Sequence, residues 1–200
     1  EIPPGFSHDG YGYGVACLDI NNDGAGDIFL TNQNANNQIF INDALINNDN
    51  QIEFSLSENL ISTMDDGTIG SSWADYDNDG DMDVVIVRNF DNISSLYNNS
   101  EGSFLPVFEF PSSYSSSWGD LNNDGLIDLV TTNDEDHDSY IHMNLGGNLF
   151  DSKLLPAGDH RGVSLGDMDN DGDLDIYIAN RSDQNNTVLI NQGNDNNWLN

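Results

Sequence analysis

Residues 75–83 read DYDNDGDMD. Asp occupies every odd position, Asp75, Asp77, Asp79, Asp81 and Asp83, with Gly80 at the sixth. The same nine-residue frame returns at Asp19–Asp27 (DINNDGAGD), Asp120–Asp128 (DLNNDGLID) and Asp167–Asp175 (DMDNDGDLD). The starts lie 56, 45 and 47 residues apart. Even in so Asp-rich a chain, the pattern D-x-[DN]-x-D-G-x-x-D should arise by chance only about 0.02 times. The four copies therefore mark an internal repeat, which has to be read before anything else.

The flanks repeat with the strings. A short alternating segment precedes each: Gly14–Leu18, Gly70–Ala74, Ser115–Gly119 and Gly162–Gly166. Cys17, Trp73, Trp118 and Leu165 hold one register there, two residues before the first Asp. An apolar, β-prone run follows each string: Ile28–Asn32, Val84–Asn89, Leu129–Asn133 and Ile176–Asn180. A second run closes on Asn42, Asn99, Asn144 or Asn191, and an aromatic returns at Phe54, Phe104, Phe150 and Trp198. No window carries a 3.6-residue apolar period, so each unit reads as four short strands. A period near 45 residues with four strands is the size of a propeller blade. The expected fold is thus an all-β propeller, a single region over 1–200 with units near 8–60, 66–110, 111–156 and 158–200. The stretch 42–64 is the least regular and is expected as an excursion from the rim.

Composition narrows the function. Asp and Glu number 35 against 4 Lys and Arg, a net charge of −31. Such a field repels phosphate backbones, which argues against nucleic acid and anionic membranes as partners, and it attracts cations. No apolar stretch is long enough for a membrane-spanning helix. At 36% hydrophobic residues the chain has material for a core, which excludes wholesale disorder. The single cysteine, Cys17, excludes an intramolecular disulfide and is expected as a small core residue. Sequons at Asn92, Asn98, Asn180 and Asn185 lend weak support to a secreted protein.

The strings themselves suit calcium. Oxygens at positions one, three and five converge when the chain curls, and Gly at six permits the sharp turn. Position seven offers a backbone carbonyl, so its side chain is free to vary, and Asp at position nine closes the shell. The expected ligands are Asp19, Asn21, Asp23, Ala25 and Asp27; Asp75, Asp77, Asp79, Asp81 and Asp83; Asp120, Asn122, Asp124, Leu126 and Asp128; and Asp167, Asp169, Asp171, Asp173 and Asp175. Hard oxygen donors without His or Cys favour calcium over zinc or copper, and about four ions are expected. The loops with Asn21 and Asn122 at position three should bind more weakly than the two with Asp there.

At these residues the chain resembles the FG-GAP and VCBS-type repeats of integrin α-subunit propellers and many secreted proteins. WADYDNDGDMDVVIV (Trp73–Val87) with LYNNSEGSF (Leu96–Phe104) is similar to the version in cartilage-acidic-protein-like chains, and GNDNNWLN (Gly193–Asn200) resembles the opening of an ASPIC/UnbV segment. The resemblance implies a β-propeller, usually of about seven blades, whose calcium ions brace loops on the rim. It implies no single activity.

The function expected is an extracellular, non-catalytic calcium-binding module for adhesion, surface assembly or protein–protein contact, within a larger chain or assembly. Its partner would be a protein or glycan at the cell surface or in the matrix. The alternative is a carbohydrate-binding module or the scaffold of a polysaccharide-acting enzyme. No G-x-S-x-G string or Ser-His-Asp order supports nucleophilic hydrolysis. His8, His137, His142 and His160 are expected in ordinary surface or core roles, and the DEDHD run Asp134–Asp138 as a solvated turn.

Overall fold

The computed structural model describes residues 10–43, 54–57, 61, 67–89, 93–134, 136–193 and 198–199. The described residues form four antiparallel sheets of four strands, each a simple up-and-down meander. The first sheet holds β1 (Gly12–Leu18), β2 (Asp27–Asn32), β3 (Gln38–Asn42) and β4 (Phe54–Ser57). The second holds β5 (Thr68–Ala74), β6 (Asp83–Arg88), β7 (Ser94–Ser100) and β8 (Ser103–Phe110). β9 (Ser115–Gly119), β10 (Asp128–Thr132), β11 (Tyr140–Asn144) and β12 (Phe150–Leu154) make the third. β13 (His160–Gly166), β14 (Asp175–Asn180), β15 (Thr187–Asn191) and β16 (Trp198–Leu199) make the fourth. Each nine-residue string joins the first strand of a sheet to the second. Its ninth residue already lies in the second strand, one position earlier than the apolar runs begin. Most of the irregular stretch 42–64 lies outside the described residues; within it Phe54–Ser57 forms β4 and Ile61 is buried in the first core cluster.

The sheets stand side by side in chain order, with β1 beside β5, β5 beside β9 and β9 beside β13. Three hydrophobic clusters fill the three junctions. Phe29 and Ile39 of the first sheet meet Val84, Ile86 and Tyr97 of the second. Val85, Val87, Leu96 and Tyr76 meet Leu129, with Trp118 and Phe150 packed alongside. Val130, Ile141 and Met143 meet Ile176, Ile178 and Leu189. β6 is the clearest case of the two-residue period at work: Val84 and Ile86 point one way, Val85 and Val87 the other, and both faces are covered by a neighbouring blade. Burial of each such side chain contributes about 1.5–3 kcal/mol.

The register shared by Cys17, Trp73, Trp118 and Leu165 belongs to these junctions. Trp73 meets Phe29 of the preceding sheet edge-on at 5.4 Å between centroids. Trp118 stacks on Tyr76 at 6.2 Å, and Leu165 packs into the cluster between the third and fourth sheets. Cys17 departs from the expectation of a core residue: it is exposed. It lies on the face of β1 that carries Val15, also exposed at 67%, where no described sheet precedes it. Tyr177 and Val188 of the fourth sheet are likewise partly open. Among the described residues the four blades do not close into a ring.

Candidate metal centres

All four strings fold to one hydrogen-bond pattern. The first Asp caps the turn, accepting from the N–H of position five at one oxygen and of Gly at position six at the other. The distances are 3.1 and 2.8 Å to Asp19, 3.0 and 3.0 Å to Asp75, 3.1 and 2.9 Å to Asp120, and 3.2 and 3.1 Å to Asp167. The position-five carboxylates Asp23, Asp79, Asp124 and Asp171 then accept the N–H of Ala25, Asp81, Leu126 and Asp173 at 2.8–3.0 Å. The curl needs two left-handed residues. Gly24, Gly80, Gly125 and Gly172 at position six have φ of 87–97°, and Asn22, Asn78, Asn123 and Asn170 at position four have φ of 56–63°. Glycine and asparagine are the residues that tolerate this region.

The ninth-position carboxylates are the anchors. Asp27, Asp83, Asp128 and Asp175 are fully buried. One oxygen of each accepts the N–H of the loop's second residue: Ile20 at 2.9 Å, Tyr76 at 3.2 Å, Leu121 at 2.8 Å and Met168 at 2.7 Å. The other accepts the N–H of the closing asparagine of the third strand, Asn42, Asn99, Asn144 or Asn191, at 2.7–2.8 Å. Those asparagines also reach the preceding blade. The Nδ2 of Asn99 donates to the Ile20 carbonyl (2.9 Å), Asn144 to Tyr76 (2.9 Å) and Asn191 to Leu121 (2.7 Å). One buried Asp–Asn pair therefore ties loop, strand and neighbouring blade together.

Among the described residues two carboxylate triplets result. Asp75, Asp77 and Asp83 present oxygens within 4.8 Å of one another, and so do Asp167, Asp169 and Asp175. Asp79 and Asp171 are outside these triplets, bonded to the N–H of position seven. In the other two strings position three is an amide, and Asn21 and Asn122 donate to the carboxylates of Asp23 (3.1 Å) and Asp124 (2.8 Å). Asn98 adds a partner absent from the sequence-based ligand set, donating to Asp77 Oδ2 at 2.7 Å.

The electrostatics favour a cation. Burial pushes Asp83 up to about 7, with the charges of Asp77 and Asp79 adding to it. Burial likewise pushes Asp128 up to about 6 and raises Asp27 and Asp77. Carboxylates this crowded resist ionising together. A hard dication held by oxygens alone would relieve that cost, so the donor set fits calcium.

The repeat now has a counterpart among known families. The FG-GAP-like repeat matches at residues 19–86, 75–131 and 120–178, each match running from one acidic string through the next. This chain belongs to the FG-GAP-like repeat family. No curated protein matches it significantly. Among solved structures it is similar to the Vibrio cholerae biofilm matrix protein Bap1, with a TM-score of 0.55, 18% identity, and coverage of 82% of this chain and 23% of that one. It is also similar to an Agrocybe aegerita lectin solved in connection with recognition of non-reducing terminal N-acetylglucosamine. There the TM-score is 0.55 at 17% identity, with 92% of this chain and 49% of that one covered. The FG-GAP-like chain thus spans about a quarter and a half of those proteins. At such identities the likeness is one of fold.

The histidines stand apart from the FG-GAP-like loops. His142 is buried, with Nε2 at 3.1 Å from Thr131 Oγ1 and Nδ1 at 2.7 Å from Ser152 Oγ. His160 is buried with Nδ1 at 2.8 Å from Ser139 Oγ, and His137 pairs with Asp134 at 2.8 Å. His8 lies outside the described residues. Sequence reasoning missed the fourth-position asparagines, although the same residue type recurs there in all four strings.

Proposed function

We propose that the chain is a calcium-braced, non-catalytic interaction module that works outside the cell. The observation that carries this is the repetition of one loop geometry four times, each loop anchored by a buried carboxylate, with two of the four gathering three carboxylates that a dication would neutralise. The bound ions would rigidify one end of each blade and keep the strand faces in register, leaving loops and turns to meet a protein or glycan. The family and the two structural neighbours, a biofilm matrix protein and a lectin, support a surface-interaction role at this level. Further blades of a longer chain, or another subunit, would cover the open faces of the first and fourth sheets. Binding to extracellular-matrix proteins and to a glycan array, each with calcium and with EDTA, tests the reading. Calcium-dependent capture by either class is expected; binding that is indifferent to EDTA contradicts it.

Glycan recognition is the second reading. The exposed rings of Tyr11 and Tyr13 favour it, because flat aromatic faces suit sugar rings. Trp73 and Trp118 are taken up by blade junctions and do not add to such a surface.

A further inference from the structure

The fourth-position asparagines do not spend their side chains inside their own loops. Asn22 Nδ2 donates to the Gly80 carbonyl at 3.2 Å and to the Asp81 carboxylate, both in the next loop. Asn78 Nδ2 donates to the Gly125 carbonyl at 3.3 Å, again one loop on. Asn123 Nδ2 donates to the Asp173 carboxylate. The direction is the same three times, from one string to its successor, and the acceptor is always position six or seven. Where position seven is Asp the asparagine takes its carboxylate; where it is Leu126 the position-six carbonyl of Gly125 serves instead. Asp81 is held from a second side by the N–H of Glu101 at 2.7 Å.

We propose that these asparagines are positioning residues that couple each metal loop to the next, most strongly from the Asp19 loop to the Asp75 loop and from the Asp120 loop to the Asp167 loop. The proposal rests on the calcium reading above. Positions three and five, which flank the asparagine, are oxygen donors of its own loop, so a metal there fixes the left-handed residue between them. The fixed amide then holds positions six and seven of the successor, beside the carbonyl expected to serve as a ligand. Ordering that the successor would otherwise undergo on binding is already complete, and its affinity rises. By linkage the effect is reciprocal. Charge alone would act the other way, since an ion in one loop weakens the negative field at the next. The sign of the coupling therefore separates the two causes.

The test follows the backbone amides of Gly24, Gly80 and Gly172 by NMR while the 200-residue chain is titrated with calcium chloride. Asn22→Gly permits the left-handed backbone and removes the amide donor. It is expected to raise the calcium midpoint at Gly80 roughly three- to ten-fold, the weight of one partly exposed hydrogen bond to a charged group. Asp23→Ala, which cripples the first loop, is expected to raise the Gly80 midpoint similarly in the parent chain and to add nothing in the Asn22→Gly background. Gly172, two blades further on, should stay within about twofold in every variant, which also reports that the fold survives. An unchanged Gly80 midpoint in Asn22→Gly would overturn the coupling alone. So would a lowered Gly80 midpoint in Asp23→Ala, because that is the signature of the field. A parent chain in which neither Gly24 nor Gly80 responds to calcium would overturn the metal reading and the coupling with it.

Discussion

Asp83 shows how much a single carboxylate does in this architecture. It starts β6, is fully buried, and joins Tyr76 of its own loop to Asn99 of β7 through its two oxygens. Asn99 in turn holds the Ile20 and Met82 carbonyls at 2.9 and 3.1 Å. Asn99→Ala should lower stability by about 2–3 kcal/mol, because one buried and one partly buried carbonyl lose their donor. Denaturant unfolding in saturating calcium checks this, and a loss below about 0.5 kcal/mol would count against the clamp. His142 offers a second test at this scale. Burial lowers it to about 4, and Thr131, Ser152, Phe108, Phe110 and Tyr140 around it bring no acidic partner. A histidine with a depressed folded value contributes stability above its unfolded value near 6.5. That contribution is lost as pH falls through about 4. His142→Gln should therefore flatten the decline in melting temperature between pH 6.5 and 4 relative to the parent chain. The carboxylate at position nine was legible from spacing alone. Its burial and its asparagine partner were not, because a recurring Asn fifteen or sixteen residues downstream says nothing about which N–H or carbonyl it meets.

At the scale of the loop and blade, most of the geometry was written in the repeat. Alternating apolar runs placed the strands within a residue or two, since the two-residue period survives wherever one blade covers another. The acidic strings marked the turns between first and second strands. What the period left open was the exposure of β1, because an alternating strand reads the same whether or not a neighbour covers it. The loops predict a graded response to mutation. Asp79→Ala or Asp171→Ala removes an expected ligand and the acceptor for the position-seven N–H. Either should lower the melting temperature in calcium by about 5 °C or more. Asp136→Ala, in an exposed turn, should change it by less than about 2 °C. Equal shifts in all three would argue against structural metal.

At the scale of the molecule, four blades stand in an open row whose ends carry exposed apolar side chains. Val15 on β1, and Tyr177 and Val188 on the fourth sheet, lie where an interior blade would have a neighbour. The isolated 200 residues should self-associate through these faces, and Val15→Asp should reduce the association in sedimentation velocity. A monodisperse monomer at tens of micromolar would show that the open faces need no cover. The proposed function requires that the four identically folded acidic loops hold calcium and that the ions brace the blades. Calorimetric titration of the calcium-stripped chain with calcium chloride tests it most directly. Uptake of about four ions is predicted, of order 10⁻⁴–10⁻³ M and tightest in the loops starting at Asp75 and Asp167. No uptake at millimolar calcium would contradict the account.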